Sequence, residues 1–170
     1  AGRMMGLFLG GKGRIAVVSS AIASENNNFY VQLRENEFKR FVRETYPDIQ
    51  IVTTIDSFED PQITYEKTAQ LLRDYQDLQG LYITCGGVSQ VGRALEESGR
   101  AKDIRVISYE DYPEVVELIR KDVIDCTLAG EIQKQGEIPV QLIMDHLVFG
   151  KQPENDQVFT EIKVIVKESL

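Results

Sequence analysis

Short runs rich in β-branched residues recur along this chain, and a longer stretch of helical period separates each run from the next. In order, they predict a helix over residues 1–9, a strand over 14–19, a helix over 29–44, a strand over 51–55 and a helix opening at Pro61. A strand over 80–84, a helix through Leu95, a strand over 104–108, a helix from Pro113, a strand over 123–129, a helical stretch over 132–149 and a last strand over 159–166 follow. The punctuation agrees. Gly10-Gly11-Lys12-Gly13 stops the first helix, Gly99 closes the one ending near Leu95, and Gly150 and Pro153 stop the last, whose Pro139 is expected in the first turn of its regular part. Strands joined through helices need crossovers, so the sheet should be mostly parallel and doubly wound, the middle of a three-layer α/β/α fold. No repeat or Pro/Ser-rich linker divides the chain, which predicts one domain.

A chain of 170 residues can bury roughly two-thirds of its unfolded surface. Its 42% hydrophobic and 27% charged residues fit a folded globular protein and exclude collagen-like or disordered classes. The net charge of −8 leaves no basic footprint for gripping nucleic acid or an anionic bilayer. No apolar run approaches the roughly 20 residues of a membrane helix, and no secretory pattern opens the chain, so a cytoplasmic protein with no membrane partner is expected. The opening Ala1-Gly2-Arg3, without Met and directly into a helical pattern, suggests a cut through a longer protein.

Ligands of such sheets bind beyond the carboxyl ends of the strands. That rule selects five tips: Ser19-Ser20, Asp56-Ser57-Phe58, Thr84-Cys85-Gly86-Gly87, Tyr109-Glu110-Asp111 and Ala129-Gly130-Glu131. Their aromatic rings, hydroxyls, carboxylates and backbone amides suit a neutral polyhydroxylated ligand rather than a metal. His146, the one histidine, stands late in a helix, so zinc or triad chemistry lacks its parts, and no cofactor is expected. Cys85, at a strand-to-helix turn before glycines, has the look of a nucleophile elbow, but no tip offers it a histidine base. Cys85 and Cys126 therefore read first as small buried hydrophobes. Gly86-Gly87 reads as a tight turn whose amides offer a second use as an anion cradle. Gly10 to Gly13 precedes a strand and lacks the hydroxyl of a phosphate loop. A phospho-acceptor receiver would need acidic residues where Ser19 and Thr84 stand.

Taken together, "AGRMMGLFLGGKGRIAVVSS", "LRENEF", "GLYITCGGVSQVGRALEESG", "IRVISYED" and the closing "EIKVIVKESL" resemble the sugar-binding core of the LacI family of transcription regulators, which shares the type 1 periplasmic binding fold with periplasmic sugar-binding proteins. The resemblance implies that Arg34 forks onto ligand hydroxyls, that Phe58 lines the pocket and that Glu110 accepts hydroxyl protons. It also places Gly86, Gly87 and Gly130 where the family carries Asn, Asp and Gln. The ligand is then bulkier than a common hexose or pentose, or held otherwise, for example by Glu131 and backbone amides.

The same resemblance implies a single effector-binding lobe over residues 1–170, with 127–150 returning toward a first lobe outside this chain. A DNA-reading headpiece would also lie outside it. Such a half-site should bind effector weakly, and Ile138, Val140, Leu142, Ile143, Leu147 and Phe149, lacking a partner lobe, should drive pairing into a homodimer. The expected function is a non-enzymatic sensor that binds a small carbohydrate-like effector between two lobes. The alternatives are a periplasmic sugar receptor of an ABC transporter and a cysteine-dependent hydrolase at Cys85.

Overall fold

A computed structural model describes residues 1–20 and 29–170. Strands β1 (Lys12–Ser19), β2 (Asp48–Asp56), β3 (Gly80–Ile83), β4 (Arg105–Tyr109), β5 (Cys126–Gly130) and β6 (Ile162–Val166) form one sheet in the order β2-β1-β3-β4-β5-β6. Helices α1 (Gly2–Phe8), α2 (Phe29–Thr45), α3 (Pro61–Asp74), α4 (Val88–Glu97), α5 (Pro113–Arg120) and α6 (Ile132–Phe149) complete the α/β/α architecture.

The central strand shows why the apolar runs had to be strands buried on both faces. Along β1, Ala16 and Val18 pack with Leu81, Ile83 and Val106 under α3, α4 and α5. Ile15 and Val17 point the other way and meet Tyr82, Ile107, Met5, Phe38 and Val42 under α1 and α2. Successive side chains of a strand alternate faces, so one run of aliphatic residues feeds two cores. α1 ends as its glycines predict: Gly10 and Gly11 take φ of 62° and 81°, and the Gly11 amide donates to the Gly6 carbonyl at 2.8 Å. Asp60 caps α3 by accepting from the Ile63 amide at 2.8 Å, with Pro61 next in line.

The sheet is mostly parallel, as expected, and two local expectations, the start of β5 and the place of Pro139, need adjustment. β1 to β5 are parallel, but β6 runs antiparallel to β5, Cys126 facing Val166 and Gly130 facing Ile162. The chain leaves the sheet at the carboxyl end of β5 through α6 and re-enters from that same end, so β6 has to run backwards. β5 begins at Cys126 rather than at 123, because Asp122 takes a φ of 59° and Asp125 uses its carboxylate to accept from the Val106 amide at 2.7 Å. Pro139 stands inside a continuous α6 rather than in its first turn, since the Gln135 amide already closes a turn on the Glu131 carbonyl at 2.9 Å.

α6 contributes no buried residue. It springs from the tip of β5 and is tied back through Gln135, whose side-chain amide reaches the Thr160 hydroxyl at 3.2 Å. Ile138 and Leu142 are half-buried, whereas Val140, Ile143, Leu147 and Phe149 are exposed.

Candidate ligand-binding site

The five tips predicted from the sequence lie along one edge of the sheet, because parallel strands deliver all their carboxyl ends to the same side. Backbone bonds lock neighbouring tips together: the Ser57 amide donates to the Ser19 carbonyl at 2.7 Å, and the Thr84 amide to the Val18 carbonyl at 2.9 Å.

Arg34 holds the middle of the row. Rising from α2, its guanidinium donates to the Thr84 carbonyl at 3.3 Å, stands 3.7 Å from the Glu110 carboxylate, and lies over the Tyr109 ring at 4.0 Å from its centre. One cation thus ties α2 to the tips of β3 and β4. Glu110 is itself held in the left-handed region, at a φ of 72°, with its amide on the Leu128 carbonyl and its own carbonyl accepting from the Thr127 hydroxyl at 2.6 Å. A carboxyl-bearing residue held at positive φ by a tertiary network is the kind of strain that concentrates at binding sites. Arg34 and Glu110 are each only about a third exposed. Their pairing presents both donors and a carboxylate acceptor on one small surface, which matches vicinal hydroxyls of a polyol.

Phe58 is also held at positive φ, 53°, and is 51% exposed. One face of its ring is occupied by the Lys67 ammonium at 4.3 Å, which also donates to the Asp56 carbonyl at 2.8 Å. A half-exposed aromatic fixed from one side suits stacking against the apolar face of a sugar ring.

The glycines of the β3 tip behave differently from one another. Gly87 takes a φ of 85° as N-cap of α4, and a side chain there would press on Thr64, whose Cγ2 lies 2.9 Å from the place of a Cβ. Gly86 faces open space, with nothing within 4 Å. Gly130 is close to the Gln135 amide, 2.8 Å from where a Cβ would stand. Glu131 is turned toward its own helix: Lys134 lies at 2.7 Å and lowers its pKa, and the Glu161 amide donates to it at 3.3 Å. Arg34 and Glu110 are thus brought together, Phe58 stands apart from them beyond the end of β2, with β1 and β3 lying between β2 and β4, and Glu131 is engaged elsewhere.

Cys85 is buried, its sulfur 3.4 Å from the Ser57 hydroxyl. Burial is the main cause pushing its thiol pKa up, with the carboxylates of Glu59 and Asp56 adding to it against hydrogen bonds from Ser57 and Ser20. A nucleophile needs the opposite shift. His146 is exposed near the end of α6, its Nδ1 3.2 Å from the Lys151 carbonyl, far along the helix from the tips. No group of three or more metal-ligating side chains gathers among the described residues.

Two features of the site escaped the sequence. Tyr109 supports Arg34 with its ring, and Ser20 donates to Glu59 across the β1 and β2 tips at 3.0 Å. The second pairing follows only from register, since Ser19 sits opposite Asp56 in the parallel ladder.

A parallel sheet sandwiched by helices, closed by one antiparallel strand and carrying its polar groups along the carboxyl edge, defines the class of periplasmic binding protein-like lobes. The chain belongs to the periplasmic binding protein domain family, whose model matches residues 1–152. Among curated proteins, none matches it. Among solved structures, it is similar to a glucose-galactose binding protein from Geobacillus stearothermophilus at 25% identity and a TM-score of 0.86, covering 99% of this chain and 58% of the other. An arabinose binding protein from the same organism aligns at 23% identity and a TM-score of 0.84, covering 98% and 58%. An ABC transporter solute binding protein from Burkholderia graminis, in complex with D-arabinose, aligns at 20% identity and a TM-score of 0.86, covering 98% and 57%. The chain therefore spans less than two-thirds of the length of these proteins.

Proposed function

We propose that this chain is one lobe of a carbohydrate-binding protein that captures a sugar between two lobes and delivers it to a membrane transporter. The observation that carries the proposal is the Arg34 and Glu110 pair, held by Tyr109 and Thr84 at the edge of a periplasmic binding protein fold. The similarity to the glucose-galactose and arabinose binding proteins supports a sugar rather than another polar ligand. Function here is reversible binding without bond chemistry: the raised Cys85 thiol argues against a nucleophile. In this reading residues 1–170 form one lobe, and 127–150 lead away from it, which gives the exposed apolar face of α6 a place against the second lobe. The protein then works outside the cytoplasm.

A second reading is a LacI-type regulator, in which the same lobe senses its effector in the cytoplasm and a separate headpiece binds DNA. It is favoured by the closing Val166-Lys167-Glu168-Ser169, which resembles the ending of those regulators. Sequencing the gene around this segment separates the two, since a secretory or lipoprotein leader belongs to the receptor and a helix-turn-helix to the regulator. Thermal-shift screening of the encoded protein against hexoses and pentoses tests what they share. A rise in Tm with sugar is expected, and no response to any sugar overturns both.

A further inference from the structure

The first turn of α2 carries large apolar side chains that stay largely exposed. Tyr30 is 72% exposed and Phe29 63%, and their rings meet edge to face at 5.8 Å. Leu33, on the next turn, is exposed as well. Elsewhere in α2 the apolar residues do their ordinary work, with Val31, Phe38 and Val42 buried against the sheet.

The position of these rings is set by Arg34. Tyr30 and Arg34 are four residues apart and so share one stripe of the helix. Arg34 reaches the tips of β3 and β4 through Thr84 and Glu110. Side chains on a helix lean toward its N-terminus, and the N-terminus of α2 lies at the carboxyl edge of the sheet. Tyr30 therefore projects past Arg34, beyond the row of tips, on the side from which a ligand enters. Phe29 packs against it and limits its rotation, which lowers the entropy lost when another ring stacks on it.

Gly86 offers no side chain and has empty space around it, and no side chain fits at Gly87.

We propose that the site takes an oligosaccharide, with one ring held by Arg34 and Glu110 and the next ring stacked on Tyr30. This rests on the carbohydrate reading above and narrows its substrate class. Tyr30 is a specificity residue for length: it adds stacking area only when a second ring is present.

The test is an NMR titration of the full chain, which reads millimolar dissociation constants, with glucose, galactose and arabinose and with the linear oligomers of each. At least one oligomer series is expected to bind about tenfold more tightly than its monomer, the value of one aromatic contact of about 1.4 kcal/mol. Tyr30→Ala should bring that oligomer back to the affinity of the monomer, while Tyr30→Phe, which keeps the ring, should retain the gain. Monomers that bind as tightly as their oligomers, or a gain that survives Tyr30→Ala, would overturn the length proposal and leave the sugar-binding reading standing. Failure of every sugar, monomer and oligomer alike, would remove both.

Discussion

The guanidinium of Arg34 rests on the face of Tyr109, 4.0 Å from the ring centre, and Tyr109 in turn lies 6.1 Å from the ring of Tyr82, which stacks on Phe38 at 4.0 Å. An aromatic column thus runs from the buried face of α2 to the guanidinium at the candidate site. Burial, together with a hydrogen bond to Tyr109, pushes the Tyr82 phenol far above its ordinary pKa, so it stays protonated. The column couples packing to binding geometry. A guanidinium clamped by a ring and a carboxylate has few orientations left to lose when a ligand arrives.

Replacing Tyr109 by Leu should remove the clamp and weaken sugar binding by about tenfold, the scale of a partly desolvated cation–π contact. Tyr109→Phe keeps the ring and should bind like the parent protein, while losing about 1 kcal/mol of stability with its hydrogen bond to Tyr82. Titration calorimetry and urea unfolding separate the two effects. Equal affinity in Tyr109→Leu would mean that the ring does not hold Arg34.

Adjacent glycines should respond unequally. Gly87→Ala places a Cβ at a φ of 85° and against Thr64, and should cost roughly 1–3 kcal/mol in chemical denaturation. Gly86→Ala enters open space and should stay within about 0.5 kcal/mol of the parent. Similar losses at both positions would contradict the turn geometry.

Cys126 gives stability an alkaline limit. Burial raises its thiol from an ordinary 9.0 to about 11. The folded chain therefore keeps the proton after the unfolded chain has begun to lose it. The contribution is fully present below pH 9 and falls away as pH climbs to about 11, by roughly 2–3 kcal/mol. Cys126→Ala should start less stable, having lost a buried side chain, yet decline less steeply over that interval. Parallel curves for the two proteins, measured by urea unfolding across the range, would count against the raised thiol.

An apolar helix face left in water should find a partner. Leu147 is 74% exposed and Phe149 66%, with Val140 and Ile143 nearby on the same helix. The chain studied by itself is expected to self-associate at tens of micromolar, and Leu147→Glu should shift it toward monomer. Light scattering that finds only monomer for the parent chain would sink this expectation.

Much of this was legible from residue patterns because it depends on short-range rules. Period-two burial in a parallel strand becomes a run such as Ile15 to Val18, and a glycine pair such as Gly10-Gly11 must end a helix, whatever lies around it. The strand tips could be named as a candidate site because parallel strands share one carboxyl edge. The left-handed backbone of Phe58, Glu59 and Glu110 could not, since non-glycine residues adopt it only under tertiary constraint.

By itself the sequence determined the α/β alternation, the two-faced core and the edge on which polar groups gather, all consequences of local periodicity and chain polarity. Only the tertiary structure decided that β6 runs antiparallel, that Pro139 sits within an unbroken helix, and that Arg34 lies between Tyr109 and Glu110. These depend on where distant segments return in space and on which long side chains then come within reach of one another. No local pattern encodes such distances.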